Sequence, residues 1–462
     1  MEKILNQLLK ILKNPVAWPV LVISAVTLGS RGLGFIRQFL IWDRLAKLDS
    51  DLLLSANKIP EFISIFLLMG TVYSSVLPIA SKFENVDEKK LSKYLNLVIL
   101  SLLGVVLVFT LLVLVFTEPI LKLFTSSNLW AEILTEGLLE KYIAATRILL
   151  LVPISFALQG VLGVFLTLKK RFFVYSLAGV LTNIGTILSL LITKGDFVIV
   201  AWGIALGSTL STAAFIWESL RSGLQLDIIE DFKNFKTDFQ LFKKDLVQTW
   251  KLFLPRIFII DAFYAASFII NPIAQNVGQI TAFDIAISIQ TIFFVIITSL
   301  GTVFFPDLSK TLHNESLPKA TFWIMMKKYL IISAAIGTAI TLITIVATPL
   351  VILLFKFIGK GQGNGDYIIM IAQVGAASVL FRSIREILAK YFYVKERLWQ
   401  PVILSTFALL IQVFGILLLV FSFGWDAALA CSVGLILGNL AWVGLGMFYL
   451  LKDVKGVRRV ES

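Results

Sequence analysis

Seven stretches of the chain run for a full bilayer span without one charged residue: Tyr94 to Phe116, Ile148 to Leu168, Phe172 to Ile192, Phe197 to Trp217, Tyr329 to Phe355, Leu398 to Gly424 and Ala427 to Leu451. Crossing the hydrocarbon core takes about 20 mainly apolar residues, and there every backbone N–H and C=O must be bonded within the segment. Each stretch is therefore restricted to a transmembrane helix. Further candidates interrupted by isolated charges lie at about 17 to 42, 52 to 80, 249 to 275, 280 to 306 and 366 to 393, giving about twelve spans in all. With 58% apolar and 15% charged residues, the composition agrees and excludes a soluble enzyme.

The net charge of +12 is explained by where the cations sit. Of the 41 Lys and Arg, 27 fall in segments that are cytoplasmic if the N-terminus is inside, and seven fall in the opposite loops. This bias marks topology, not nucleic acid, and predicts that both termini are cytoplasmic. Residues 1–16, with leucines and isoleucines among Lys3, Lys10 and Lys13, predict an amphipathic surface helix.

The chain also repeats itself. Gly-Thr-Val at 70–72 followed by Pro78-x-x-Ser81-Lys82 recurs as Gly-Thr-Val at 301–303 followed by Pro306-x-x-Ser309-Lys310. Lys169-x-Arg171 recurs as Lys395-x-Arg397, and Arg31 corresponds to Arg256. The three offsets lie between 225 and 228, in the same order, which predicts two copies of one six-helix unit. Because six is even, both copies start on the same side of the membrane. The expected layout is an N-lobe at 17–222, a cytoplasmic amphipathic linker at 223–247 and a C-lobe at 248–462, all α-helical, as two parallel lobes around a central cavity.

No catalytic constellation is present. Cys431 and His313 are the sole cysteine and histidine, which excludes a disulfide framework and a His/Cys metal cluster. The glycine-rich run at 359–365 lacks the order of a nucleotide-binding loop. The informative residues are the charges at bilayer depth, each costing at least about 2.5 to 3.5 kcal/mol unless it faces a partner, a wet cavity or the interface. These are Arg31, Arg37, Lys58, Arg147, Arg256, Arg382 and Arg385, set against Glu61, Asp261 and Glu386, with Asp51 and Asp284 near span ends. If the cations share one cavity, that cavity suits an anion. Arg382 and Arg385 are also explained by snorkelling to the interface, and Arg147 is equally ambiguous. Lys58 and Glu61 could be a structural pair at a Pro60 kink. Arg31 and Arg37 share a span with Gly29, Gly32 and Gly34, which permit close packing or a break in the helix.

Taken in order, Ser30-Arg31-x-Leu33-Gly34-Phe35-x-Arg37, Asp51, Lys58-x-Pro60 and Pro78 resemble the opening of the bacterial MurJ-type (MviN) lipid II flippases. These belong to the multidrug/oligosaccharidyl-lipid/polysaccharide (MOP) exporter superfamily. The similarity continues through Thr146-Arg147-Ile148, Gly160-Val161-Leu162-Gly163, Asn183, Leu254-Pro255-Arg256 and Phe392-Tyr393, from about residue 20 to about 450. The resemblance implies alternating-access transfer of undecaprenyl-pyrophosphate-linked peptidoglycan precursor from the inner to the outer leaflet of the bacterial cytoplasmic membrane. It implies a pyrophosphate site at Arg31, Arg37 and Arg256 and a functional acid at Asp51; as charges at bilayer depth, Lys58 is added to the expected pyrophosphate site and Glu61 to the expected acids. It also implies a cation-coupling site at Asp261, Gln412 and Ser432. The chain departs from the family pattern at Glu61, Met69, Ile287 and Ile416, and ends after its twelfth span where many relatives add two helices.

The expected protein is a monomer without a bound cofactor, driven by sodium or by the membrane potential. Its expected partners are a lipid-linked glycan and membrane lipids, with no nucleic acid. Two alternatives remain at this stage. One is a superfamily exporter of another polyprenyl-linked glycan or, coupled to a cation, of drugs. The other is a non-transporting scaffold that recruits cell-wall synthesis proteins through its linker.

Overall fold

A computed structural model describes residues 17–67, 71–84, 87–171, 173–174, 177–193, 195–257, 262–290, 308, 311, 319–358, 365–395, 397 and 399–461. The expected surface helix at 1–16 and most of the second Gly-Thr-Val repeat copy lie outside the described residues. The described backbone is helical, in the order α1 (Ala17–Arg44), α2 (Lys47–Leu67), α3 (Thr71–Glu84), α4 (Glu88–Val115), α5 (Thr117–Phe124), α6 (Ser127–Thr135), α7 (Leu139–Leu149), α8 (Leu151–Leu168), α9 (Ala178–Ile192) and α10 (Phe197–Arg221). These are followed by α11 (Ile228–Lys233), α12 (Phe235–Ile257), α13 (Ala262–Ile273), α14 (Lys319–Ile358), α15 (Gly365–Val394), α16 (Trp399–Leu417) and α17 (Ala427–Glu461). Residues 279–290 are also helical. Among the described residues, seven helical stretches are long and apolar enough to cross a bilayer: 88–115, 139–168, 197–221, 321–354, 365–394, 399–422 and 427–454. Shorter apolar helices occur at Ala178–Ile192 and Tyr264–Ile273.

Local chemistry sets several boundaries. Asp87 caps α4, its carboxylate accepting from the backbone N–H groups of Lys89 at 3.0 Å and Lys90 at 3.1 Å. The Lys90 bond above all holds the Asp87 carboxyl below the usual carboxylate range. α7 and α8 are divided at Leu150, four residues after Thr146 and just ahead of Pro153, which has no N–H to offer the Leu149 carbonyl. α1, by contrast, passes through Gly29, Gly32 and Gly34 without a break.

The chain forms two compact units. The first comprises Met1–Leu45, Ala56–Leu121 and Gly137–Ile257; the second comprises Ala46–Ser55, Lys122–Glu136 and Phe258–Ser462. In the first, α9 and α10 meet backbone to backbone. A Cβ on Gly207 would lie 2.7 Å from the Leu181 carbonyl oxygen, and one on Gly185 would lie 2.5 Å from the Gly203 carbonyl oxygen. Small residues allow this approach where apolar burial gives helices in lipid little reason to associate. Gln159 of α8 adds polar contacts, donating to the Ser208 carbonyl at 3.2 Å and to the Thr212 hydroxyl at 2.9 Å.

The segment expected as a linker is packed within the first unit. Asn96 of α4 donates to the Gln225 carbonyl at 2.9 Å and to Asp231 at 2.7 Å, and Lys93 pairs with Asp238 at 3.2 Å. Tyr94 and Thr249 share a hydrogen bond of 2.7 Å, and the rings of Phe83, Tyr94 and Phe242 cluster beside it. In the second unit, α14 packs on α15, while α15 and α16 pack on α17. Its core is built on Phe322, Tyr391, Phe392 and Trp442.

The repeated Lys-x-Arg motif makes the same kind of clamp in each unit. In the first, Arg171 pairs with Glu218 of α10 at 3.4 Å and Lys169 pairs with Glu88. In the second, Arg397 and Lys395 both reach Asp453 of α17, at 2.8 and 3.1 Å. Each arginine thus ties its loop to the C-terminal part of a long helix of its own unit, α10 in the first and α17 in the second.

Candidate substrate and coupling residues

Arg31 and Arg37 are six residues apart on α1, so their side chains leave the helix about 120° from one another. Arg31 is exposed and Arg37 is half-buried. The Arg37 guanidinium donates through Nη1 to Oδ1 of Asn183 at 3.1 Å, and the Asn183 amide donates to the Ser30 carbonyl at 2.9 Å. Gly34 lies beside this bridge, where a Cβ would sit 3.5 Å from Asn183 Nδ2, in ordinary van der Waals contact. Gly29 and Gly32 face open space. Asn183 therefore fixes α9 to α1 and orients Arg37 through a neutral group that takes up one guanidinium donor.

Lys58 and Glu61 form an ion pair on α2 at 3.4 Å, with the Lys58 side chain buried and that of Glu61 partly exposed. Pro60 lies between them, and Ser64 Oγ donates to the Pro60 carbonyl at 2.9 Å. The pair matches one charge with another, so Lys58 contributes less free positive charge than the sequence implies. Arg256 falls in the last turn of α12, and its side chain lies outside the described structure.

Asp51 is buried and serves as a cap for a helix far away in sequence. Its Oδ2 accepts from the Gly278 N–H at 2.6 Å; its Oδ1 accepts from the Thr281 N–H at 2.8 Å and the Thr281 hydroxyl at 2.6 Å. The helical residues 279–290 begin at this point. Three converging donors at a helix N-terminus call for a carboxylate on geometric grounds.

Of the expected cation-coupling set, Asp261 lies outside the described residues. Gln412 of α16 and Ser432 of α17 are buried. Ser432 Oγ has no hydrogen-bond partner among the described residues, and a Cβ on Gly375 would lie 3.5 Å from it. Ile416 packs against Gly434, whose added Cβ would lie 2.3 Å from Ile416 Cγ1. The described donors are thus one amide and one hydroxyl beside an isoleucine. A sodium ion asks for more oxygen than these supply, and they do not by themselves fit one.

Two residues turn out to be structural hubs: Asn183, named by sequence reasoning only within the resemblance, and Asn96, which it missed. The available signal was chemical. An amide inside a charge-free span must find partners there, because water is absent.

A sequence model of the family described as lipid II flippase MurJ matches residues 46–458. The chain belongs to this family. No curated protein sequence matches it. Among solved structures, the chain is similar to a lipid II flippase MurJ in an inward closed conformation, with 19% identity, 92% of this chain and 87% of that chain covered, and a TM-score of 0.64. It is also similar to an inward-facing multidrug resistance MATE transporter of the MOP superfamily, with 14% identity, 96% and 99% coverage and a TM-score of 0.72. A third likeness is to a MOP superfamily transporter from Pyrococcus furiosus described as having a binding pocket of reverse polarity, with 16% identity, 95% and 96% coverage and a TM-score of 0.56. At these identities the solved structures establish the fold; the family match carries the activity. MurJ membership makes the chain a multi-pass lipid II flippase of the bacterial inner membrane, a transporter whose substrate is a lipid-linked peptidoglycan precursor.

Proposed function

We propose that Arg37 is the principal ligand for the pyrophosphate of lipid II during inner-to-outer translocation by alternating access, with Arg31, Arg256 and Lys58 adding positive charge. The observation that carries this is the Arg37–Asn183 bond of 3.1 Å. A guanidinium held by an amide keeps its charge and a planar fork suited to phosphate oxygens. The membrane potential is the driver: each net negative charge moved outward across 100 mV gains about 2.3 kcal/mol when the inside is negative. Both termini are cytoplasmic, following the cation bias, and the protein acts as a monomer. Asp51 acts through the helix it caps and not as a substrate contact.

A leaflet-resolved assay of labelled lipid II in reconstituted vesicles tests this. Arg37→Gln should abolish flux while leaving the thermal transition of the embedded protein unchanged. If Arg37→Gln and Arg256→Gln both sustain a flippase-depleted cell, the pyrophosphate role is wrong. Competition by other polyprenyl-pyrophosphate glycans in the same assay defines the range of cargo. A cation-coupled drug exporter, which the MATE-like fold alone would allow, needs carboxylates where this chain has Arg31, Arg37, Lys58 and Arg256. A scaffold that recruits cell-wall synthesis proteins predicts partner binding with no flux.

A further inference from the structure

Helix α12 (Phe235–Ile257) has sorted its charges. Asp238 is buried against α4 and pairs with Lys93, and Asp245 is half-buried. Lys236, Lys243, Lys244 and Lys251 are all exposed. A merely solvated tether has no reason to turn its acids inward and its lysines outward.

The register shows what the lysine face meets. Lys236, Lys243, Val247 and Leu254 follow one another at spacings of 7, 4 and 7, which places them along one face of α12. Lys251 and Lys244 flank Val247 at four and three residues. Leu254 is 50% exposed and lies inside the span predicted from about 249, so this face looks onto lipid. Followed out of the hydrocarbon, the same face changes from Leu254 to lysine. At 1.5 Å per residue, Lys243 and Lys244 stand about 8 to 9 Å beyond residue 249, and the headgroup layer is about 5 to 8 Å deep on each side, a gap that a lysine side chain spans. Lys251 sits at the boundary itself.

We infer that Lys243, Lys244 and Lys251, with Lys236 further out, form a binding face for the phosphodiester headgroups of anionic phospholipids in the cytoplasmic leaflet. Charge complementarity selects the occupant, since a zwitterionic headgroup offers no net charge to this carboxylate-poor stripe. Each juxtamembrane lysine strengthens contact with an anionic surface by about fivefold in affinity. The packing of α11 and α12 on α4 holds the face rigidly in place. The inference rests on membrane embedding and not on the cargo assigned above.

The test is native mass spectrometry of the full chain in detergent, titrated with phosphatidylglycerol and, separately, phosphatidylcholine. The wild type should bind phosphatidylglycerol more tightly. The triple variant Lys243→Gln, Lys244→Gln, Lys251→Gln should lose that preference, by about fivefold per lysine, with phosphatidylcholine binding unchanged. Lys327→Gln with Lys328→Gln, which removes two exposed lysines from α14, should retain it. If the triple variant does not fold, the three single variants give the same loss in separate steps. The assignment is overturned if the triple variant keeps the preference, or if the α14 variant loses as much. It is also overturned if undecaprenyl pyrophosphate displaces phosphatidylglycerol from this face, which would make it a cargo site.

Discussion

Replacing Asp51 with Asn removes one charge and changes one atom, and the cap geometry gives the cost. Asparagine keeps a single acceptor oxygen. If that oxygen stays with Thr281, the new NH2 group replaces Oδ2 and points at the Gly278 N–H, which now donates at 2.6 Å. Donor faces donor, and a charge-assisted bond of about 1.5 to 3 kcal/mol is lost. Loss of the negative charge at the N-terminus of helical residues 279–290 adds about 0.3 to 1 kcal/mol. A central figure is about 3 kcal/mol for local opening of this helix start, or roughly a hundredfold in its opening equilibrium. Hydrogen exchange on the protein in nanodiscs reads this directly: the peptide spanning 274–290 should exchange about a hundredfold faster in Asp51→Asn, while peptides from α9 and α10 are unchanged. Asp51→Glu keeps the charge but must fit another methylene into a site only 1% exposed, at a cost of about 1 to 3 kcal/mol. Should Asp51→Asn leave exchange at 278–281 within about threefold of wild type, the cap is not what holds this helix start and its role must be sought in chemistry.

Gly207→Ala drives a methyl group to 2.7 Å from the Leu181 carbonyl oxygen and 2.9 Å from Thr182 Cα. Backbone cannot turn aside as a side chain would, so a loss of about 2 to 3 kcal/mol is expected, read as a lowered denaturation midpoint of the embedded protein. Asn183→Asp places a carboxylate beside Arg37 and should cut lipid II flux by roughly 10- to 100-fold without lowering stability; wild-type flux in that variant would remove the argument that the neutral partner at position 183 matters. For Asp87, the lowered folded pKa fixes the sign: its contribution is complete above the ordinary value of 3.8 and is lost as pH falls through the lowered folded value. Asp87→Asn should therefore flatten the acid limb of the stability curve and leave neutral pH little changed, as an acid titration of helicity will show.

Legibility in the sequence followed the strength of the physical constraint. Hydrocarbon forces charge-free helices, so the all-helical membrane fold could be read from stretches such as 94–116 and 427–451, and the family followed from ordered motifs. The repeat in Lys169-x-Arg171 and Lys395-x-Arg397 was visible, but their partners were not. Glu218 and Asp453 lie 47 and 56 residues away from the arginines they bind, and nothing local identifies them. Asp51 shows the same limit from the other side: its importance was implied by resemblance, whereas its work as a cap depends on Gly278 and Thr281, more than two hundred residues away. The linker was read as amphipathic, yet the part of it that lies in α12 turns Asp238 and Asp245 inward and Lys236, Lys243 and Lys244 outward. Hydrophobic periodicity carries no sign of charge, so it could not separate them.

Cations in this chain meet two kinds of partner, carboxylates and, at Arg37 and Arg385, side-chain amides. Arg171, Arg397, Lys58 and Lys93 each meet a carboxylate, at 3.4, 2.8, 3.4 and 3.2 Å, and such pairs fix loops and helix ends while spending their charge internally. Arg37 meets the amide of Asn183, which also secures itself to the Ser30 carbonyl. An amide can hold a guanidinium in one direction without lowering its attraction for an incoming anion. A contact of that kind need not be broken at every turnover before a pyrophosphate is received, whereas a pair with a resident carboxylate would be. Releasing cargo at the far leaflet is correspondingly easier when the empty site is already oriented and neutral contacts do not have to be remade.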